Sequence, residues 1–296
     1  MPFVAKTGDI AEPRGLNYHP GLVRRISARI CLLLLVLIST SEGVPGQEPP
    51  QAAPDRGAAS TAALSVASAQ EERPVSWKLL LPNIVHDQEP IWLFPTQVAR
   101  GQHVKLTLGF FLATAGMVAL DPHDTPYFRR TDAFHDFNRV LSGKNTVLGT
   151  AIVPLSFYAV GLARRDSYAQ QTALLAGQAV ADVQILTLVM KNIDRRLRPA
   201  DIPVDGDYSH TWFKSHGRVI TGRGSFPSGH AVGAFAVATV FAERYRRHRW
   251  VPWVAYGLAS LVGFSRVSLQ SHFPSDVFAG AVLGYTISYY VVLRRP

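Results

Sequence analysis

The chain contains a single cysteine, Cys31, in 296 residues. One thiol excludes an intramolecular disulfide and any multi-thiolate metal centre. Acidic side chains are also scarce, 21 against 30 Lys and Arg, which leaves a formal charge of +9. A basic balance suits nucleic acid, anionic lipid or a phosphorylated substrate. Zinc-finger spacing, a basic recognition helix and interleaved aromatic and basic residues are missing, which speaks against nucleic acid. There is no internal repeat. The most compact apolar run, Ile30 to Ile38, is too short for a bilayer, which takes about 20 residues. Hydrophobic residues make up 47% of the sequence, a share that fits a compact soluble protein and a modest membrane protein alike.

The amino-terminal quarter reads as targeting and spacer sequence. Arg24, Arg25 and Arg29 precede the apolar run, and small and polar residues follow from Ser39 to Gly46. This is the order of a secretory signal, and residues 1–42 are assigned to it. Cys31 lies at the front of the run, which argues against a lipoprotein signal. Residues 43–76 are rich in Pro, Ala, Gln and Ser and read as a disordered linker. Order is expected from Trp77, and residues 77–296 form the remaining domain.

Six apolar segments follow: Val104 to Leu120, Val147 to Ala163, Ala169 to Met190, His230 to Ala242, Val251 to Phe264, and Val277 to Leu293. None alternates as a strand would, so the fold class is all-α, a bundle of about six apolar helices. In the third segment Gln171, Gln178 and Asp182 fall on one helical face, which is therefore polar.

Three short motifs carry the chemistry. Lys191 to Pro199 has the pattern K-x6-R-P. Two helical turns would put Lys191 and Arg198 on one face, where they could hold a tetrahedral dianion. A solvated basic helix end would use the same residues. Of Arg195 and Arg196, between them, at least one is expected to point off that face, and both are read as solvated charges. Ser225-Phe-Pro-Ser228-Gly229-His230 precedes the fourth apolar helix, whose free N–H groups attract an anion. Ser228 can donate to a phosphate oxygen and His230 can act as a general acid. An N-cap serine beside a surface histidine is the plainer alternative. The third motif, Ser265 to Asp276, is S-R-x5-H-x3-D. Pro274 suits the first turn of the sixth helix, which sets His272 just before it and Asp276 inside it. A carboxylate on one ring nitrogen of His272 would leave the other free as a nucleophile. A capping Asp and a structural His would look the same in isolation.

Taken together, the three motifs closely resemble the type-2 phosphatidic-acid phosphatase and vanadium haloperoxidase superfamily, over roughly residues 165–293. The resemblance implies a helical bundle with its active site at one end. It implies that Lys191, Arg198 and Arg266 bind phosphoryl oxygens, with Ser228 and the Gly229 amide completing the cradle. By the same resemblance His272 attacks phosphorus, Asp276 orients it, and His230 protonates the leaving oxygen. No metal or other cofactor is then required, because three cations and a helix end supply the electrostatic stabilisation.

The remaining polar clusters read as structural. Asp121-Pro122-His123-Asp124 and His135-Asp136 look like inter-helix loops, since Asp and Pro favour turns. His86-Asp87-Gln88, next to Trp92, could line the site mouth or cap a helix, and the structural reading is preferred.

The functional expectation is a metal-independent phosphatase acting on a phosphate ester or diphosphate, most plausibly of a lipid. A vanadate-dependent haloperoxidase, a soluble exported acid phosphatase and a non-catalytic phospholipid-binding protein are the alternatives. The expected partners are the phosphorylated lipid and a membrane. Short arginine-dense turns at 164–165, 244–249 and 294–295 fall at the end opposite the motifs. The positive-inside rule then sets that end in the cytoplasm and the active site on the exoplasmic, periplasmic side of the cell envelope. A cleaved signal followed by six spans gives the opposite orientation. Either the first segment does not cross, or the amino terminus is not exported, or the bundle is soluble in the periplasm.

Overall fold

The computed structural model describes residues 73–294, apart from positions 204 and 221. The targeting segment, Cys31 and all but the last four residues of the expected linker lie outside the described residues. The described part is all-α. Helix α1 spans Trp77–Ala99, α2 Val104–Arg130, α3 His135–Val140, α4 Gly143–Arg164 and α5 Ser167–Asp194. A short 3-10 turn at Pro199–Asp201 and a long loop lead to α6, Gly229–Arg244. Helices α7, Val251–Ser268, and α8, Pro274–Ile287, complete the bundle, and α8 runs on as a π-helical turn, Ser288–Val292.

Three stretches differ from expectation, the shortest being His135-Asp136, which opens helix α3 instead of lying in a loop. Helix α1 was not foreseen as a helix, because Pro82, Pro90 and Pro95 all lie within it. Proline removes a helical hydrogen bond and argues against a helix when only the sequence is read. Here Ser76 caps the start by accepting from Leu79 N, and polar side chains tie the helix to α5. Asp87 pairs with Arg73 at 2.8 Å and accepts from Gln178 Nε2 at 2.6 Å. Gln88 Nε2 donates to Asp182 Oδ1 at 3.0 Å. The polar face read on the third segment is thus the seam against α1, and Asp87, Gln178 and Asp182 are fully buried in it. The third difference is Asp121-Pro122-His123-Asp124, which lies inside α2 rather than in a loop. Tertiary bonds hold that helix past Pro122: Asp121 and Thr125 face inward and are buried, and Asp121 meets Arg196 and Ser275.

Helix α6 is the centre of the bundle, packed against α5, α7 and α8. Its buried side is built of small residues, with Ala231, Ala236, Val232 and Val240 fully covered. Close approach to α8 needs Gly284, where a Cβ would stand 2.3 Å from the Val232 carbonyl oxygen.

The helix ends sort into two sets. Arg164 and Arg165 lie at the α4–α5 turn, Arg244 to Arg249 at the α6–α7 turn, and Arg294 beyond α8. Arg244 Nε donates to Thr172 at 3.1 Å, joining the end of α6 to the start of α5. Helix α1 starts at this arginine end, where Arg73 donates to the Val291 carbonyl and Trp77 Nε1 to Tyr158 at 2.6 Å. The three motifs gather at the other end. The carboxyl half of α2 reaches that end too, Phe128 packing on Phe264 and Asp121 bonding to Ser275.

Three helical stretches are long and apolar enough to cross a membrane: Val104–Arg130, Gly143–Arg164 and Ser167–Asp201. Large apolar side chains face outward along the first two, among them Leu106, Phe111, Leu112, Val147 and Leu155. On a water-soluble protein such continuous apolar surface would be a liability; facing lipid it is what a membrane protein presents.

Candidate active site

The first motif begins on α5 and leaves it. Helix α5 ends at Asp194 because Arg195 adopts a left-handed conformation, φ 41. Arg198 stands beyond, extended at φ −85 and ψ 152, as a residue before proline prefers. Lys191 and Arg198 therefore do not share a helix face. They still converge electrostatically, since the charges of both are felt at His230 and at His272. Lys191 is buried and its Nζ donates to the carbonyls of Gly224 (3.0 Å) and Ser225 (3.2 Å). The loop approaches this lysine so closely that a Cβ on Gly224 would meet Asp194 Oδ1 at 2.2 Å and the Lys191 carbonyl at 2.8 Å.

The second motif closes on the same point. Ser228 is fully buried and caps α6, accepting from Ala231 N at 3.5 Å, while its own N–H donates to the Asp276 carbonyl at 2.9 Å. A Cβ on Gly229 would lie 3.9 Å from Lys191 Cε, so the free end of α6 faces the lysine stem. His230, in the first turn of α6, has Nε2 3.3 Å from the Gly143 carbonyl oxygen. Burial, then the charge of Arg266, draws its pKa down to about 4, so the ring is neutral at pH 7.

The third motif supplies a dyad and a cation. Arg266 is 1% exposed, donates from Nε and Nη2 to Ser265 Oγ, and reaches the Leu141 carbonyl through Nη2. His272 is 2% exposed, and its ring centre lies 6.5 Å from that of His230. Its Nδ1 stands 3.6 Å from Asp276 Oδ2 and 3.3 Å from Ser225 Oγ. The longer of these is beyond hydrogen-bond reach, and with a neutral ring it is not an ion pair. Ser225 in turn donates to Asp276 Oδ2, so the hydroxyl bridges the pair. Burial draws His272 down to about 3 against the pull of Asp276. Burial would raise the Asp276 carboxyl, but Arg196, His272 and Ser225 outweigh it and hold it at about 2.

All eight residues singled out in the three motifs thus fall at one end of the bundle. Three participants were missed. Arg196, expected in solvent, is 1% exposed. It donates to Asp276 Oδ1 at 2.7 Å, Asp121 Oδ2 at 2.6 Å, Ser275 Oγ at 2.7 Å and Thr211 Oγ at 3.1 Å. Its guanidinium also stacks between Phe273 and Trp212, 4.1 and 4.6 Å from the ring centres. The expectation failed because it extended a helix past Asp194; off the helix, Arg196 turns inward. The lone signal was chemical, an arginine inside a motif already rich in cations. Ser225 was read only as part of a string of small residues, and the 141–143 segment carries no motif.

A family model described as the PAP2 superfamily matches residues 172–296. That stretch contains every residue of the three motifs. This part of the chain is similar to the PAP2 superfamily. The curated relatives are similar over short lengths. A lipid A 1-phosphatase of Porphyromonas gingivalis is 39% identical over 83 residues, 28% of this chain and 18% of its own. A lipid A 4'-phosphatase of the same organism is 28% identical over 119 residues, 40% of this chain and 48% of its own. The undecaprenyl-diphosphatase BcrC of Bacillus subtilis is 40% identical over 65 residues, 22% of this chain and 32% of its own. This chain spans less than half the length of each of these relatives. A solved transmembrane PAP2 type phosphatidylglycerolphosphate phosphatase from Bacillus subtilis is similar over 64% of this chain and 92% of its own, at 21% identity and a TM-score of 0.43.

Proposed function

We propose that this protein is a metal-independent phosphohydrolase that removes phosphate from a lipid phosphate or diphosphate through a phosphohistidine on His272. The observation that carries the reading is the His272–Ser225–Asp276 arrangement. Asp276 and Ser225 engage Nδ1, which fixes the proton there and leaves the Nε2 lone pair free. Lys191, Arg198 and Arg266, with Ser228 and the α6 amides, receive the phosphoryl oxygens and stabilise the charge that grows on them. A phosphoryl group reaching Arg266 and His230 displaces the Leu141 and Gly143 carbonyls now engaged there. Its negative charge draws a proton onto His230. Nε2 of His272 then forms a bond to phosphorus as the bond to the leaving oxygen breaks, and His230 gives that oxygen its proton. In the second half water attacks phosphorus, the P–N bond breaks, and His230 takes the proton from water.

The apolar outer faces support a lipid substrate, and the relatives named above act on lipid A and on undecaprenyl diphosphate by their names. The arginine end supports an exoplasmic site by the positive-inside rule. Because α1 starts at the arginine end, that orientation sets Arg73 on the cytoplasmic side. It therefore goes with an amino terminus that is not exported.

The test is a phosphate-release panel of lipid phosphates, polyprenyl diphosphates and soluble monoesters. Lipid substrates should be turned over in preference, with acid-labile phosphate trapped on the wild type. His272→Ala should show neither turnover nor trapped phosphate. Substantial turnover by His272→Ala refutes the mechanism, and a preference for soluble monoesters refutes the lipid assignment.

A further inference from the structure

The nucleophilic dyad has a second layer that is not confined to the PAP2 stretch. Asp276 has no exposed surface, and a buried ionised carboxylate needs several donors to stay ionised. Its two oxygens are divided. Oδ2 takes Ser225, the Phe273 N–H at 2.9 Å and the edge of His272, whereas Oδ1 takes Arg196. Arg196 is itself balanced from the far side by Asp121 of α2, a carboxylate 0% exposed and held by the Ser275 N–H at 3.2 Å and by Ser275 Oγ. Asp121 lies outside residues 172–296, in a helix with no motif.

Resting on the phosphohydrolase reading, we infer that Arg196 is a positioning residue for the reaction, bridging Asp121 to Asp276 so that the carboxylate stays ionised with Oδ2 turned to His272. The alternative state shows why this matters. A protonated Asp276 would offer a donor in place of an acceptor, and Nδ1 would answer by giving up its proton. The proton would then sit on Nε2, and the nucleophile would be lost. A carboxylate that stayed ionised but swung by about 1 Å would misalign the ring, a displacement that costs on the order of 10²-fold. Lysine cannot replace the bridge. It would reach one carboxylate and lose the planar fork that meets Asp121, Ser275 and Asp276 at once. Arg196 touches no substrate in this arrangement; it acts through Asp276.

The experiment is a double-mutant cycle on the full chain in detergent, with Arg196→Gln, Asp276→Asn and the pair. Arg196→Gln should lower kcat on the order of 10²-fold while KM moves by less than about threefold, because the phosphate cradle is intact. In the Asp276→Asn background the same change should cost less than about threefold. Additive losses would overturn the inference. A second readout needs no substrate: 15N-histidine NMR should find the His272 proton on Nδ1 in the wild type, and that tautomer preference should be lost in Arg196→Gln. An unchanged His272 tautomer would also overturn it, because a merely structural role predicts no change in folded molecules. Should Arg196→Gln not fold, the near-isosteric Asp121→Asn carries the same test, with a fall in kcat of about tenfold that vanishes in Asp276→Asn; full kcat in Asp121→Asn would overturn the bridge. If the wild type releases no phosphate from any substrate, the phosphohydrolase reading fails, and the His272 tautomer still decides whether Arg196 positions the ring.

Discussion

Replacing Arg266 by Lys tests the phosphate clamp where its geometry is tightest. The Arg266 guanidinium is 1% exposed, fixed by Ser265 through Nε and Nη2 and turned toward the Leu141 carbonyl. Its Nη1 lies 3.4 Å from the position a Cβ would take on Gly143, so the group is walled in on that side. Lysine keeps the charge, but its single ammonium cannot both hold Ser265 and fork onto two phosphoryl oxygens. One preorganised donor is lost where charge develops, which is worth on the order of 10²-fold in kcat/KM, or about 2.7 kcal/mol. Arg198→Lys should fall by a similar factor. Arg195→Lys is the control, because Arg195 closes helix α5 and holds the 214–215 loop through its backbone, which a lysine keeps; it should stay within about threefold of wild type. Arg196 cannot serve as a control, being buried on Asp276. The assay is initial-rate phosphate release from a lipid phosphate in detergent, with thermal midpoints to show that each variant is folded. Arg266→Lys within threefold of wild type, or Arg195→Lys as damaged as Arg198→Lys, would refute the clamp.

Activity should survive EDTA and fall with orthovanadate, which mimics five-coordinate phosphorus; loss in EDTA that magnesium or zinc restores would show that a metal does the work assigned to the cations. Gly224→Ala should lower stability by about 1–3 kcal/mol and impair turnover, since its Cβ would press on Asp194 and on the Lys191 backbone; an unchanged thermal midpoint contradicts that packing. Folded His272 is held down to about 3, whereas the unfolded ring takes its proton near 6.5. Between those pH values the unfolded state binds the extra proton, so stability should drop as pH falls from about 6.5 toward 3, by up to about 1.4 kcal/mol per unit for this one group. His272→Gln should flatten that slope, and an equal slope in the variant would refute the assignment.

The parts of the site written in local sequence were legible. Pro274 announced the start of α8 and so fixed the order of His272 and Asp276, and Ser228 announced the start of α6. Lys191 and Arg198 were paired by a helical spacing that the chain does not keep, since Arg195 ends the helix in a left-handed turn. Their convergence is a property of the loop, not of helix periodicity. What could not be read locally is what depends on distant partners. Pro122 and the polar residues around it suggested a loop, because the bonds from Asp121 to Arg196 and Ser275 join positions 75 and 154 residues apart. The three prolines of α1 hid a helix for the same reason, its hold on α5 being made by side chains about 90 residues away in sequence.

The seam between α1 and α5 also limits how the molecule can be shortened. Residues 172–296 look like a self-sufficient module, since they hold all three motifs. Without α1, however, Gln178 and Asp182 would be stripped of Asn83, Asp87 and Gln88 and would face hydrocarbon. In lipid each such orphaned group costs several kcal/mol, comparable to the whole stability of a small domain. Helix α1 therefore works as a fitted stave in the wall of the barrel rather than as a leader to it. Trimming back to the motif-bearing stretch would keep every catalytic residue and lose the vessel that holds them.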